Sequence, residues 1–273
     1  MNLKEFLDKI AKKVVLNYEE LEQFKFFKVK NRNFYFEIKP IKNPPIVPID
    51  QLVEIDNFKN IVLKNTLQFL ETGIANNVLL WGERGCGKSS LIKSVVNSIR
   101  DNRLKLIQLR KTDISVFEDV LDILTELNSF KFIIFLDDLS FKENDELFIE
   151  LKSVLDGGLI ENSKNIIIYA TSNRRHLIEE KFINDNIIHE SDAISEIISL
   201  SDRFGISLGF YLYNKEQFLK IVKKYAEIFN LKEFSEKDAL NFAMKKGGFT
   251  GRTAYQFIIN RLSEVKDNVQ KNS

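Results

Sequence analysis

The chain has 273 residues, 44% of them hydrophobic and 29% charged, a balance that excludes both a disordered and a membrane-embedded class. Its 40 Lys and Arg stand against 39 Asp and Glu, so the whole-chain charge of a dedicated nucleic-acid binder is missing, and nucleic acid is left open as a partner without being indicated. One cysteine, Cys86, allows no internal disulfide, and two histidines, His176 and His189, fall short of a zinc site.

In chain order, Leu3, Phe6, Leu7, Ile10 and Val14 recur at helical spacing, and Asn33 to Ile38 predicts a short strand or extended arm. The start carries Glu5 early and has no compact apolar run, so no secretory signal is read. No window of ~18 apolar residues occurs. The expectation is a cytoplasmic protein without membrane contact. All four prolines fall between Pro40 and Pro48, where fixed φ and missing N–H groups predict a linker. Residues 1–45 therefore read as an N-terminal extension.

Beyond the linker, Asp56 is placed to N-cap a helix that Gly73 ends. Apolar runs follow at Asn77–Trp81, Leu104–Leu109, Phe132–Leu136, Ile166–Ala170 and Ile206–Phe210, with helical patterns between them. Runs that are apolar on both faces and separated by helices predict an α/β three-layer sandwich on a parallel five-stranded sheet, spanning 46–211. After Asn214 only helical patterns remain, at Lys215–Phe229, Ser235–Lys246 and Arg252–Lys266, which predicts a small helical lid over 212–273.

The stretch Gly82-Glu83-Arg84-Gly85-Cys86-Gly87-Lys88-Ser89 satisfies G-x-x-x-x-G-K-[ST] in full, and Ser90 continues it into a helix. Three glycines let main-chain N–H groups turn inward around phosphates, and the helix N-terminus adds partial positive charge. This is a phosphate loop for ATP: Lys88 is placed for the β and γ phosphates, and Ser89 for Mg²⁺. Cys86 has no ligand role here and reads as a small side chain facing the protein. Downstream, Lys131 to Leu136 is a buried strand ending in Asp137-Asp138. A P-loop ATPase needs one acid there for the metal's water shell and one to orient the attacking water. Asp137 takes the metal role and Asp138 that of base; the competing reading makes Asp138 an acidic cap to the next loop.

The order of these motifs resembles the AAA+ superfamily over roughly residues 46–265. Several stretches are similar to one bacterial branch of it catalogued only as a domain of unknown function. The most particular are Ala75-Asn76-Asn77-Val78-Leu79-Leu80-Trp81-Gly82, Asp137-Asp138-Leu139-Ser140-Phe141, Tyr169-Ala170-Thr171-Ser172-Asn173-Arg174-Arg175-His176 and Leu200-Ser201-Asp202-Arg203-Phe204-Gly205. The resemblance implies that Asn173 is the polar sensor that places water, against the alternative of a loop asparagine. It implies that Arg203 is an arginine finger reaching the neighbouring subunit's ATP, against a structural pairing with Asp202. Arg252, in Gly248-Phe249-Thr250-Gly251-Arg252, looks like the lid sensor for the γ-phosphate, against an exposed first-turn arginine. Ile49 to Ile55 resembles the adenine-side element, with Leu52, Val53 and Ile55 against the base. Glu54 stands where many members have glycine, and Asp138 is one methylene shorter than the usual glutamate.

The resemblance implies a homo-oligomeric ring or filament that couples hydrolysis to remodelling or loading a protein or nucleoprotein partner. Arg110-Lys111-Thr112-Asp113 lacks the aromatic-apolar-Gly pattern of a polypeptide-threading pore, which disfavours an unfoldase. The shorter Asp138 keeps a second class in view, an ATP-dependent switch or scaffold with slow or no hydrolysis. A GTPase is disfavoured because Asn-Lys-x-Asp is absent, and a transporter ATPase because Leu-Ser-Gly-Gly is absent.

Overall fold

Residues 13–32, 35–139, 151–155, 163–173 and 203–271 are described by the computed structural model. In chain order they form β1 (Lys13–Leu16), α1 (Tyr18–Gln23), β2 (Phe26–Arg32), β3 (Tyr35–Pro40), α2 (Asp56–Thr72), β4 (Val78–Gly82), α3 (Lys88–Ser98), β5 (Leu104–Leu109), α4 (Phe117–Glu126), β6 (Lys131–Leu136), β7 (Ile166–Thr171), β8 (Ile206–Phe210), α5 (Lys215–Ile228), α6 (Glu236–Lys245) and α7 (Gly251–Lys271). Among them no helix is long and apolar enough to cross a membrane.

The five expected core strands lie side by side in the order β5-β6-β7-β4-β8, every pair parallel. Parallel strands survive where both faces are covered, and Phe132 to Leu136 of β6 are all 1% exposed or less. Alternate side chains divide between two apolar clusters, one involving α1 and α4 and the other α2 and α3. Because β4 is flanked by β7 and β8, the chain leaving it turns away at a point where neighbouring connections diverge, and a crevice opens at the strands' C-terminal ends. The glycine-rich loop of residues 82–89 emerges there, and so do the ends of β6 and β7.

The sheet has eight strands rather than the five expected, because the N-terminal extension continues it. On the five-stranded core β5 would be an edge, with main-chain donors and acceptors open to pairing. Strand β2 covers it in parallel register, Phe26 opposite Leu106, and β3 and β1 follow outward. Phe27, Val29, Phe36 and Ile38 join the cluster that holds Ile107 and Leu109, so one core runs beneath both parts. Val14, expected on a helix, stands in β1, paired with Phe36; Leu3, Phe6, Leu7 and Ile10 lie outside the described residues. The proline-rich linker is a packed strap rather than a free tether, since Ile41, Ile46 and Val47 lie against the second cluster. Asp56 is the first residue of α2, not its cap; Ile55 holds that place without a side-chain bond, and Asp56 pairs with Lys59 at 2.8 Å. Gly73 does end α2, at φ +72°, and an added Cβ would stand 2.6 Å from the Lys164 carbonyl.

A buried polar network fixes α2 to the sheet at the N-terminal end of β4. Tyr169 is fully buried, and its hydroxyl lies 3.0 Å from Asn65 Nδ2 and 2.8 Å from Thr66 Oγ1. Asn65 also exchanges two hydrogen bonds with the Asn76 main chain, at 2.8 and 3.1 Å. Asn77 Oδ1 accepts from Ile168 N, and its carbonyl accepts from Ile206 N, so one residue spaces β7 and β8 around β4. These contacts give Ala75-Asn76-Asn77 and Tyr169 a structural role.

Between extension and core, Lys105 is 1% exposed, with Nζ 2.8 Å from the Phe24 carbonyl and 5.3 Å from the centre of the Phe130 ring. Burial, then the charge of Lys25, pulls its pKa from the ordinary 10.5 down to about 8. The unfolded chain therefore holds more protons than the folded one between those values, and stability rises with pH there. Denaturant unfolding at pH 7.5 and 9.5 should give a more stable protein at the higher pH, and Lys105→Met should flatten that rise.

Candidate functional site

The loop after β4 owes its shape to glycines in left-handed conformation, Gly82 at φ +110°, Gly85 at +80° and Gly87 at +100°. At Gly82 the reason is also steric: an added Cβ would stand 2.1 Å from the Phe210 carbonyl of β8. Gly87 leads directly into α3 and supplies no side-chain cap, leaving the first-turn N–H groups without that partner. Lys88, 6% exposed, folds back so that Nζ donates to the Gly82 and Glu83 carbonyls at 2.7 Å each and to Asn173 Oδ1 at 3.2 Å. Desolvation lowers its pKa, with Asp138 and Glu83 among the groups that partly restore it. Cys86 is 1% exposed, and burial pushes its thiol up to about 11. That is the inert state of a packing residue at neutral pH.

Across the crevice, Ser89 Oγ donates to Asp137 Oδ1 at 2.6 Å and Thr171 Oγ1 to the same oxygen at 2.8 Å. Thr171 in turn accepts from the Asp138 main-chain N–H at 2.9 Å. One hydroxyl thus sets both acids: it orients the carboxylate of Asp137 and the backbone of Asp138, which takes φ +60°. The Asp138 carboxylate is exposed and accepts a hydrogen bond from the Asn173 amide. Asn173 therefore touches the lysine through its oxygen and the acid through its nitrogen.

These groups line a cavity of about 610 Å³ that continues between the Leu52-Val53-Ile55 segment and the lid. Lys88, Ser89, Ser90, Arg84, Gly85, Cys86, Gly87, Asp137, Asp138, Asn173, Leu52, Val53 and Arg252 all border it. Gly82 and Glu83 do not, and act through their carbonyls on Lys88. Arg252 is exposed at the start of α7, where Thr250 and Thr253 exchange side-chain-to-main-chain bonds at 3.0 and 3.1 Å and so fix the first turn. Arg203 is not brought in. It precedes β8, whose first residue pairs with the first of β4, so the length of β4, about 13 Å at the usual rise per residue, separates it from the glycine-rich loop. Arg174, Arg175, His176, His189 and Asp202 lie outside the described residues.

Sequence reasoning gave no role to Thr171, nor to Tyr213, Ile221, Tyr225 and Tyr255, which form the lid side of the cavity. Thr171 lies within Tyr169 to His176, a stretch whose resemblance points to Asn173 and assigns the threonine nothing. The tyrosines carry no motif and reach the cavity only because α5 and α7 pack over it.

A family model described as "Protein of unknown function (DUF815)" matches residues 22–265. The chain belongs to this family. No curated protein matches the DUF815 chain. Among solved structures it is similar to the RuvB Holliday junction branch migration motor of Thermotoga maritima, at 18% identity and TM-score 0.55, over 80% of this chain and 66% of that one. It is also similar to domain III of the Thermotoga maritima replication initiation protein DnaA, at 16% identity and TM-score 0.53, over 82% and 92%. Similarity to a DNA replication initiation factor is 17% in identity and 0.50 in TM-score, over 84% of this chain and 69% of that one. At such identities the likeness is one of fold, which the chain shares with RuvB and with domain III of DnaA. The chain spans just under two thirds of the RuvB chain's length.

Because Thr171 is 2% exposed and serves as donor and acceptor, removing its hydroxyl orphans a main-chain N–H as well as a carboxylate contact. Thr171→Val should cost about 1–3 kcal/mol in denaturant unfolding, while Thr171→Ser retains most of the stability.

Proposed function

We propose that the DUF815 chain binds ATP with Mg²⁺ and hydrolyses it at a site shared between subunits of a homo-oligomeric ring or filament. The cycle would remodel or load a protein or nucleoprotein partner in the cytoplasm. The observation that carries this reading is the convergence of Lys88, Ser89, Asp137, Asp138, Asn173 and Arg252 on one cavity beside a loop of left-handed glycines.

The donor set fits the metal. Ser89 Oγ and Asp137 Oδ1, 2.6 Å apart, are hard oxygens, and Mg²⁺ in such sites takes one or two protein oxygens with the rest from phosphate and water. Held by Ser89 and, through its water shell, by Asp137, the metal would neutralise charge on the bound phosphates. Lys88 brings a second positive charge to the β and γ phosphates. Asp138 accepts the proton of the attacking water, and Asn173, already bonded to both Lys88 and Asp138, orients that water without adding charge. Leu52 and Val53 on one side and the lid tyrosines on the other enclose the base. Arg252 approaches the γ-phosphate from the lid. Arg203, remote from its own loop, serves the ATP of an adjacent subunit, where a fixed cation meets charge developing on the transferred phosphoryl group.

A second reading, an ATP-dependent switch with slow or no hydrolysis, draws on the Asp138 carboxylate, one methylene short of glutamate and engaged by Asn173. Turnover separates the two.

Lys88→Ala should abolish ATP binding in a fluorescent-nucleotide titration; unchanged affinity would overturn the phosphate-loop assignment. Asp138→Asn should keep ATP and stop phosphate release, and full activity in that variant would make Asp138 a structural cap. Mixing Arg203→Ala subunits with Lys88→Ala subunits should restore part of the hydrolysis that each lacks alone, because an intact finger then faces an intact loop. No recovery would argue for sites confined to single subunits.

A further inference from the structure

We infer that Tyr213 is a positioning residue through which the helical lid sets the main-chain orientation of the phosphate loop, so that lid placement regulates polyphosphate binding. This rests on the ATP reading above. Tyr213 lies in the short connection, residues 211–214, that leads from β8 into α5. Its ring packs against the core cluster behind α3 and against the lid cluster of α5, α6 and α7, so it is shared by both bodies. Its main-chain N–H donates to the Phe249 carbonyl at 3.0 Å, which joins the connection to the turn before α7.

The hydroxyl does something packing does not require. It donates to the Cys86 carbonyl at 3.1 Å, and the Arg252 main-chain N–H donates to the neighbouring Gly85 carbonyl at 3.1 Å. Two consecutive carbonyls of the phosphate loop are therefore held by the lid. In a trans peptide the C=O and the following N–H point in opposite directions. Fixing the Gly85 and Cys86 carbonyls toward the lid turns the Cys86 and Gly87 amides away from it, and in this proposal those amides serve the anion nest of the loop. The close approach is built in on both sides. A Cβ on Gly85 would stand 2.9 Å from Arg252 Cβ and 3.1 Å from Thr250 Oγ1, and one on Gly251 would stand 3.3 Å from the Gly85 carbonyl.

Lid and nest thus form one device. A lid rotated away from the core releases both carbonyls, their peptide planes are freed, and the loop loses the pre-set amides. The lid arginine's side chain is a separate contact; this coupling runs through main chain and one phenol.

Tyr213→Phe keeps the ring and deletes the hydroxyl, so the variant should melt within the few degrees that one hydrogen bond accounts for. The affinities of the full chain for ATP, ADP and adenosine are measured by competition against a fluorescent ATP analogue. ATP and ADP should weaken by about 2- to 12-fold, the worth of one net hydrogen bond, while adenosine competes as before. Hydrogen exchange at the amides of residues 86 and 87 should quicken in the variant. Equal loss for ATP and adenosine would mean that the hydroxyl only shapes the base side, and unchanged ATP affinity with unchanged exchange would remove the coupling altogether. If the unaltered chain binds no ATP, the ATP reading fails first and this one with it, an outcome that differs from failure in the variant alone.

Discussion

Ser89, on the first turn of α3, is bonded at 2.6 Å to Asp137 at the end of β6, and the rest of the site is arranged around that contact. It links the helix that follows the loop to the end of the strand that carries both acids. Thr171 at the end of β7 bonds the same carboxylate oxygen, so three segments far apart in sequence converge on one atom. Two hydroxyl donors hold one oxygen of the carboxylate without adding positive charge.

The parallel order of the strands makes this convergence possible. Parallel strands end on the same edge, and β4 lies between β7 and β8, so the loop, the acid pair and Asn173 emerge together. The same rule keeps Arg203 out. As the lead-in to β8 it belongs to the opposite edge, so the fold separates this arginine from the loop that follows β4.

The lid meets this edge by main-chain contact rather than by a charged pair alone. Gly85 and Cys86 offer carbonyls, and Arg252 and Tyr213 supply the donors. Such bonds tolerate little displacement, which makes the lid's position and the loop's shape one variable. At the far side of the sheet the N-terminal strands cover β5 and bury Lys105 beneath them, an arrangement that extends the core without touching the site.

The sequence by itself determined the five core strands, the glycine-rich loop after β4 and the two carboxylates that follow β6. Each is encoded locally, in a run apolar on both faces, in glycines where left-handed backbone is needed, and in carboxylates just past a buried strand. It also marked Gly73 as a helix stop. It did not show that β1, β2 and β3 continue the sheet, because whether an alternating strand pairs with a neighbour or stands as an arm depends on an edge elsewhere, here β5. Helical spacing misled at Val14, where short apolar patterns fit either period. Thr171 and Tyr213 were hidden for the same physical reason. A threonine hydroxyl or a tyrosine phenol acquires a role only from what the fold sets opposite it, and Asp137 and the Cys86 carbonyl are brought there by tertiary packing alone.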